Sequence, residues 1–121
     1  MPEQLAIDWT LDALESRVLG ALSAHRGRGR AIALPDLSRA VETSPRMVQH
    51  VVHRLRIEHG APIASAAGKP CGYYLAETAD EVEQCYREHR AKALSTLAAM
   101  AALRRIHLAD LLGQLQLEIA R

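Results

Sequence analysis

Arginine is concentrated in one segment of the sequence, and its side chain is well suited to binding phosphate. Residues 17–69 carry nine cations against three anions, a net charge of +6, and eight of the nine cations are arginine. The planar guanidinium group forms paired hydrogen bonds with phosphate oxygens and with the edge of guanine. Four of the six histidines, His25, His50, His53 and His59, lie in the same segment. This pattern predicts an anion-binding module.

The near-neutral charge of the whole chain conceals this uneven distribution of charged residues. Residues 1–16 have a net charge of −4 and residues 70–121 a net charge of −1, so the total is only +1. A protein with no large overall field depends on site-specific contacts to remain on a nucleic acid.

Two pairs of side chains have the spacing of metal ligands or catalytic groups, but neither pair has the further residues that such a site needs. His50 and His53 are three residues apart and Cys85 and His89 four apart, but a structural zinc site takes four ligands and neither pair has a companion. Cys85 with His89 also lacks a third, orienting group. There is no glycine-rich phosphate loop and no serine elbow. We therefore expect no metal, no cofactor, no small-molecule ligand and no enzyme activity.

Length and composition predict either one domain or one small domain with an appendage. The 121 residues are 49% apolar and 3% aromatic, which favours a core of aliphatic side chains between helices. No window holds 18 uninterrupted apolar residues, and no basic stretch precedes an apolar run at the N-terminus. We expect a cytoplasmic protein with reduced thiols at Cys71 and Cys85 and no membrane association.

The sequence of the first half of the chain predicts three helices. Asp8 or Thr10 is the predicted cap of a first helix that ends near His25, and a flexible Arg-Gly loop follows over residues 26–30. Residues 31–34 form one short predicted strand. The first-helix apolar positions are Leu11, Leu14, Val18, Leu19 and Leu22. Pro35 is the predicted first residue of a second helix, whose apolar face is Leu37, Ala40 and Val41.

The third helix has the clearest signals. Ser44 and Pro45 form a cap and first-position pair, the helix spans about residues 45–58, and Gly60 stops it. Its predicted core stripe is Val48, Val52 and Leu55, flanked by Met47 and Val51.

A β-hairpin follows, with strands at residues 62–65 and 73–76. One of Tyr73 and Tyr74 is expected to pack inward and the other to be exposed, because side chains alternate along a strand. Thr78 and Glu81 then predict a capping box at the start of a fourth helix.

The remaining tail is predicted to be helical, either as one long helix or as two helices broken near residues 105–107. Seven positions between 94 and 115 are spaced alternately by three and four residues, and all of them except Arg104 are apolar. This spacing is typical of a coiled coil. The apolar side chains of residues 94–119 exceed what a small domain can cover, so we expect a homodimer formed through these helices. The alternative is a tail that folds back on its own domain.

The order of these elements resembles the winged helix-turn-helix domains of bacterial and phage proteins. The resemblance rests on the sequences Ser44 to Arg56, Glu58 to Ile63 and Gly72 to Leu75, and covers about residues 11–76. The most similar group is the amino-terminal DNA-binding domain of biotin-operon-repressor-type regulators. It implies a mainly α fold with a small β-hairpin, with the winged helix-turn-helix at residues 8–77 and a coiled-coil-like helical extension at 78–121. No ligase domain follows, so no ligase activity is implied.

This resemblance implies a role for each candidate residue. Arg46, Gln49, His50 and His53 are the outward residues of the third helix and would face a major groove. Ser44 and the helix N-terminus would meet a phosphate. Lys69 at the hairpin tip would follow the backbone or enter the minor groove, and Arg28 and Arg30 would contact phosphates from their loop.

The function expected from these features is sequence-specific binding of double-stranded DNA by a dimeric transcription regulator. Two alternatives remain open at the level of sequence. One is a phage or plasmid replication or packaging factor that recognises DNA with the same domain. The other is a winged-helix protein-interaction module that binds no DNA, although such a module has no need of the basic segment.

Overall fold

The computed structural model describes residues 11–120, which form five α-helices and a two-stranded antiparallel hairpin. The elements in chain order are α1 (Ala13–Leu22), α2 (Leu34–Ala40), α3 (Pro45–His59), β1 (Ile63–Ala66), β2 (Gly72–Leu75), α4 (Ala79–Arg104) and α5 (Leu108–Ile119). The protein is therefore mainly helical with a small hairpin, as predicted. None of these helices is both long and apolar enough to cross a membrane.

The chain divides into two compact units, Met1–Cys85 and Tyr86–Arg121, which we call unit 1 and unit 2. The boundary between these units lies inside α4. The reason is that Cys85 packs against the hairpin side chains Ala64, Ala66 and Tyr74, so the first turns of α4 belong to unit 1.

Asp12 caps α1 through a reciprocal pair of hydrogen bonds with Glu15. The Glu15 N–H donates to Asp12 Oδ1 at 2.7 Å, and the Asp12 N–H donates to Glu15 Oε1 at 3.0 Å. The helix thus begins with a capping box. Asp8 and Thr10, which were the predicted caps, lie outside the described residues.

The segment between α1 and α2 differs from its prediction because it is held by the hairpin. α1 ends at Leu22 and not near His25, whose carbonyl oxygen accepts a hydrogen bond from the Leu75 N–H at 2.9 Å. The predicted strand at residues 31–34 is reduced to one residue. Ile32 pairs with Tyr73 through two hydrogen bonds of 2.8 and 2.9 Å, and the chain turns into α2 immediately afterwards.

The connection from α2 to α3 is short, and its backbone groups are hydrogen-bonded. α2 starts at Leu34, so Pro35 occupies its second position and not its first. It ends in a Schellman arrangement with Glu42 in the left-handed conformation, at φ 58°, and the Thr43 N–H donates to the Ser38 carbonyl at 3.1 Å. Ala40, which was predicted to lie on the apolar face of this helix, is exposed, whereas Ser38 is buried.

α3 forms as predicted. Its Ser44 cap accepts a hydrogen bond from the Met47 N–H at 3.1 Å, and Gly60 ends the helix at φ 65°. The core of unit 1 lies where α3 meets α1, α2 and one face of the hairpin. Its fully buried helical members are Val18, Leu22, Leu37, Val41, Val48, Val51, Val52 and Leu55.

The hairpin buries side chains on both of its faces. Ile63 and Leu75 pack into the helical core. Tyr74 and its strand partner Ala64 lie on the other face of the hairpin. Tyr74 is fully buried and Tyr73 is half-buried, so the expectation of one exposed tyrosine is wrong. The start of α4 supplies the cover that the sequence pattern did not reveal.

Glu81 at the start of α4 departs from the predicted capping box. Thr78 Oγ1 accepts a hydrogen bond from the Glu81 N–H at 3.1 Å, as expected. The Glu81 carboxylate accepts instead from the Glu77 N–H at 2.8 Å and from the Arg28 N–H at 2.7 Å. It therefore joins α4 to the loop after α1.

The tail contains two helices with a break at residues 105–107, one of the two predicted possibilities. Arg105 is left-handed at φ 56°, and the Ile106 N–H donates to the Ala101 carbonyl at 3.0 Å, which closes α4. The coiled-coil positions from 94 to 115 consequently lie on two helices and cannot form one continuous stripe.

Gly72 offers a sharp test of the hairpin attachment. Its φ is 123°, and a Cβ there would lie 1.9 Å from the Ile32 carbonyl oxygen. We expect Gly72→Ala to lower the free energy of unfolding by at least about 2 kcal/mol, measured by urea denaturation. Gly68→Ala is the matched control, because nothing lies within 4 Å of its added Cβ. Equal effects of the two substitutions would contradict the close approach.

Candidate nucleic-acid interface

Four candidate base-reading residues share one exposed face of α3. Arg46, Gln49, His50 and His53 are all exposed, and their spacing of three and four residues places them on one side of the helix. The opposite side is fully committed to the core. α3 therefore presents a continuous polar row whose amides, imidazoles and guanidinium group can meet base edges.

Ser44 lies at the beginning of that row. It is exposed, but its hydroxyl oxygen already accepts the hydrogen bond from the Met47 N–H. Its hydroxyl hydrogen remains a donor that can reach a phosphate. Ser44 therefore combines capping with a possible contact to an anion.

Lys69 is exposed at the tip of the hairpin, between β1 and β2. The hairpin is held to α3 by Arg56, a role that no motif in the sequence indicates. Arg56 Nε donates to the Ile63 carbonyl oxygen at 2.7 Å, and its guanidinium carbon lies 5.7 Å from the centre of the Tyr73 ring. Arg56 therefore joins the hairpin to α3, and its guanidinium group lies over the Tyr73 ring.

Arg28 and Arg30 are placed differently from each other. The predicted flexible loop is a short 3-10 turn from Arg28 to Arg30. Arg28 is half-buried beside Tyr74, where burial raises the pKa of the Tyr74 hydroxyl and the guanidinium group partly opposes this. Arg30 is exposed. The geometry therefore favours Arg30 over Arg28 as a contact for an anion.

The positive charge of residues 17–69 is balanced by carboxylates in the rest of unit 1. Residues 11–85 contain nine cations and nine anions. Arg39 pairs with Asp36, and Arg54 pairs with three carboxylates. Within residues 11–85, the exposed cations without an ion pair to another described residue are Arg17, Arg26, Arg30, Arg46 and Lys69. Two of these five belong to the candidate row and the hairpin tip.

A buried carboxylate joins the inner side of α3 to α1. Glu15 is 2% exposed, and its Oε2 atom accepts a hydrogen bond from Arg54 Nη2 at 2.7 Å and lies 3.4 Å from His59 Nε2. The same Arg54 nitrogen is 2.7 Å from Asp12 Oδ2. Arg54 adjoins His53, so this network fixes the rotation of α3 that turns the polar row outward.

The hydrogen bonds of this network stabilise its charged forms. The backbone N–H of Asp12 lowers the pKa of Glu15, and Arg54 contributes in the same direction while burial opposes both. The backbone N–H of Glu15 and then Arg54 lower the pKa of Asp12. The two carboxylates raise the pKa of Arg54 in return. Both acids therefore favour the folded state in their ionised forms.

The same cluster is the one place in residues 11–120 where three potential metal ligands converge. The ligand atoms of Glu15, Glu58 and His59 lie within 4.8 Å of one another. Arg54 already balances these carboxylates, with its Nε 3.7 Å from Glu58 Oε2. The pairs His50 with His53 and Cys85 with His89 belong to no such cluster among these residues.

Comparisons with known proteins return no match. No protein-family model, no curated protein and no solved structure is significantly similar to this chain. The case for function therefore rests on the geometry of the residues described above.

The Glu15 network predicts a loss of stability in acid. Because the folded-state pKa of Glu15 lies below its ordinary value of 4.5, its contribution is present above pH 4.5 and is lost as the pH falls through the lowered pKa. We expect Glu15→Gln to cost on the order of 2 kcal/mol at neutral pH and to flatten the acid dependence. Urea denaturation at a series of pH values measures both.

Glu58→Gln is the control for this experiment. Glu58 is 60% exposed and its contact with Arg54 is long, so we expect little change at any pH. An acid dependence that is identical in the wild type and in Glu15→Gln would contradict the role assigned to Glu15.

Proposed function

We propose that this protein binds double-stranded DNA in a sequence-specific manner and acts as a transcription regulator. In this proposal residues 11–77 are a winged helix-turn-helix domain, α3 is its recognition helix and the hairpin is its wing. The observation that carries the proposal is the exposed row of Arg46, Gln49, His50 and His53 on α3, opposite a face that is wholly buried.

The chemistry of the row suits base reading. Arg46 can pair with guanine through O6 and N7, and Gln49 can pair with adenine through N6 and N7. His50 and His53 extend the row by one further turn. Ser44 lies at the beginning of the row, and Arg30 and Lys69 lie outside it. All three suit contacts with the phosphate backbone, which orient a protein without reading sequence.

A second candidate function is docking of a partner protein by unit 1. Two apolar side chains on α3 favour it: Met47 is 41% exposed and Ile57 is 71% exposed. The balanced charge of residues 11–85 also weakens the general attraction to DNA. This candidate predicts no preference among DNA sequences.

Selection of bound sequences from random DNA duplexes at fixed salt separates the two functions. We expect the full chain to enrich a defined sequence, because the polar row is rigidly presented by a packed helix. Absence of any enriched sequence would reject sequence-specific binding and leave the protein-docking function.

Single substitutions test the assigned roles, measured by fluorescence anisotropy with the selected duplex and a random duplex. We expect Arg46→Ala to weaken binding to the selected duplex by about 10-fold or more, with little change on random DNA. We expect Lys69→Ala to weaken both and to reduce the salt slope by about one.

Arg90→Ala is the matched charge control. Arg90 is an exposed residue of unit 2, outside the proposed DNA-binding domain, so we expect its removal to change neither affinity. Equal losses on both duplexes for Arg46→Ala would contradict a base-reading role for Arg46.

A further inference from the structure

Unit 2 exposes far more apolar side chain than it buries. In residues 86–120 the buried residues are Ala101 and Leu111. Large apolar side chains that are more than a third exposed in this range are Tyr86, Leu94, Met100, Leu103, Leu112, Leu117 and Ile119. Soluble monomers seldom leave so many large apolar side chains of one small unit open to water.

Residues 93–103 of α4 also lack the charges that a solvated helix normally carries. Residues 93–103 form an uninterrupted helical run without any charged residue, and Leu103 at its end is 84% exposed. A solvent-facing helix usually places charged residues on its outer side. The run is therefore suited to contact with another protein surface.

A groove between α4 and α5 indicates what that other surface is. It has a volume of about 170 Å³ and is lined by apolar side chains that include Met100, Leu111 and Leu115, with Arg104 and Glu118 also on its wall. Neither Arg104 nor Glu118 has an ion-pair partner among the described residues of its own chain.

We propose that a second copy of this chain covers the groove in a two-fold symmetric dimer. In this dimer Arg104 of each protomer pairs with Glu118 of the partner subunit, and Met100, Leu111 and Leu115 lie in the apolar centre. Two-fold symmetry brings identical surfaces together, so each Arg104–Glu118 pair occurs twice.

Charge complementarity favours a second copy over an unrelated partner. Residues 93–119 contain two cations, Arg104 and Arg105, and two anions, Asp110 and Glu118. A partner with charges of one sign would leave either Arg104 or Glu118 desolvated and unpaired, which is costly. A copy of the same chain supplies the opposite charge for each.

This inference goes beyond the DNA-binding proposal and is tested without DNA. Light scattering on the full chain at micromolar concentration is expected to give twice the chain mass of 13.3 kDa. A mass of 13.3 kDa, as for a tail that folds back on its own chain, would overturn the dimer. A monomer that binds DNA would refute only the dimer, and a dimer without sequence preference would refute only the proposed function.

Met100→Glu tests the apolar centre of the groove. Because Met100 lines the groove and is 38% exposed, the substitution places a charge in the proposed interface, and we expect it to give the monomer mass with an unchanged circular dichroism spectrum. Val82→Glu is the matched control, since Val82 is 48% exposed on the part of α4 that belongs to unit 1, and it should stay dimeric. A dimeric Met100→Glu variant would overturn the proposal.

Charge reversal tests the pairing itself. We expect Arg104→Glu and Glu118→Arg each to raise the dimer dissociation constant by about 10-fold or more, because each places like charges together twice. The double variant should restore dimerisation, since the pairs re-form with reversed polarity. Failure of the double variant to recover would overturn the Arg104–Glu118 arrangement.

Discussion

The orientation of α3 depends on one buried carboxylate. Glu15 completes the cap of α1 through the Asp12 N–H and at the same time accepts a hydrogen bond from Arg54 on α3. A buried charge is tolerated only when it is paired and hydrogen-bonded, so the two helices can meet only where all of these partners align. This constraint therefore sets the direction in which the polar row on the outer side of α3 faces.

The hairpin is attached to the helices by contacts that leave little room for change. Gly72 allows the Ile32 backbone to approach β2, and Arg56 joins the end of α3 to β1 and to the Tyr73 ring. On the other face Tyr74 is covered with the help of Cys85 from α4. The hairpin tip that carries Lys69 is therefore placed by packing on three sides and not by its own two strands, which are marginal when isolated.

The charge of the protein shows how far folding can alter a sequence average. Along the chain, residues 17–69 have a net charge of +6. In the folded unit, carboxylates from outside this segment, Asp12 and Glu15, bind Arg54 from within it. What remains exposed is a small set of cations at particular places, which suits site-specific contacts more than general attraction to a polyanion.

The sequence by itself determined the features that arise from local physics. The Ser44 cap, the stop at Gly60, the core stripe of α3 and the presence of a hairpin all follow from residues close together in the chain. Local patterns do not predict contacts with residues that are distant in the chain. Residues 31–34 form only one bridge, between Ile32 and Tyr73, and neither Tyr73 nor Tyr74 is exposed. The Glu81 carboxylate accepts a hydrogen bond from the Arg28 N–H, 53 positions away. Only the tertiary structure decided which arginines stay exposed, because ion pairs such as Glu15–Arg54 join residues that are 39 positions apart.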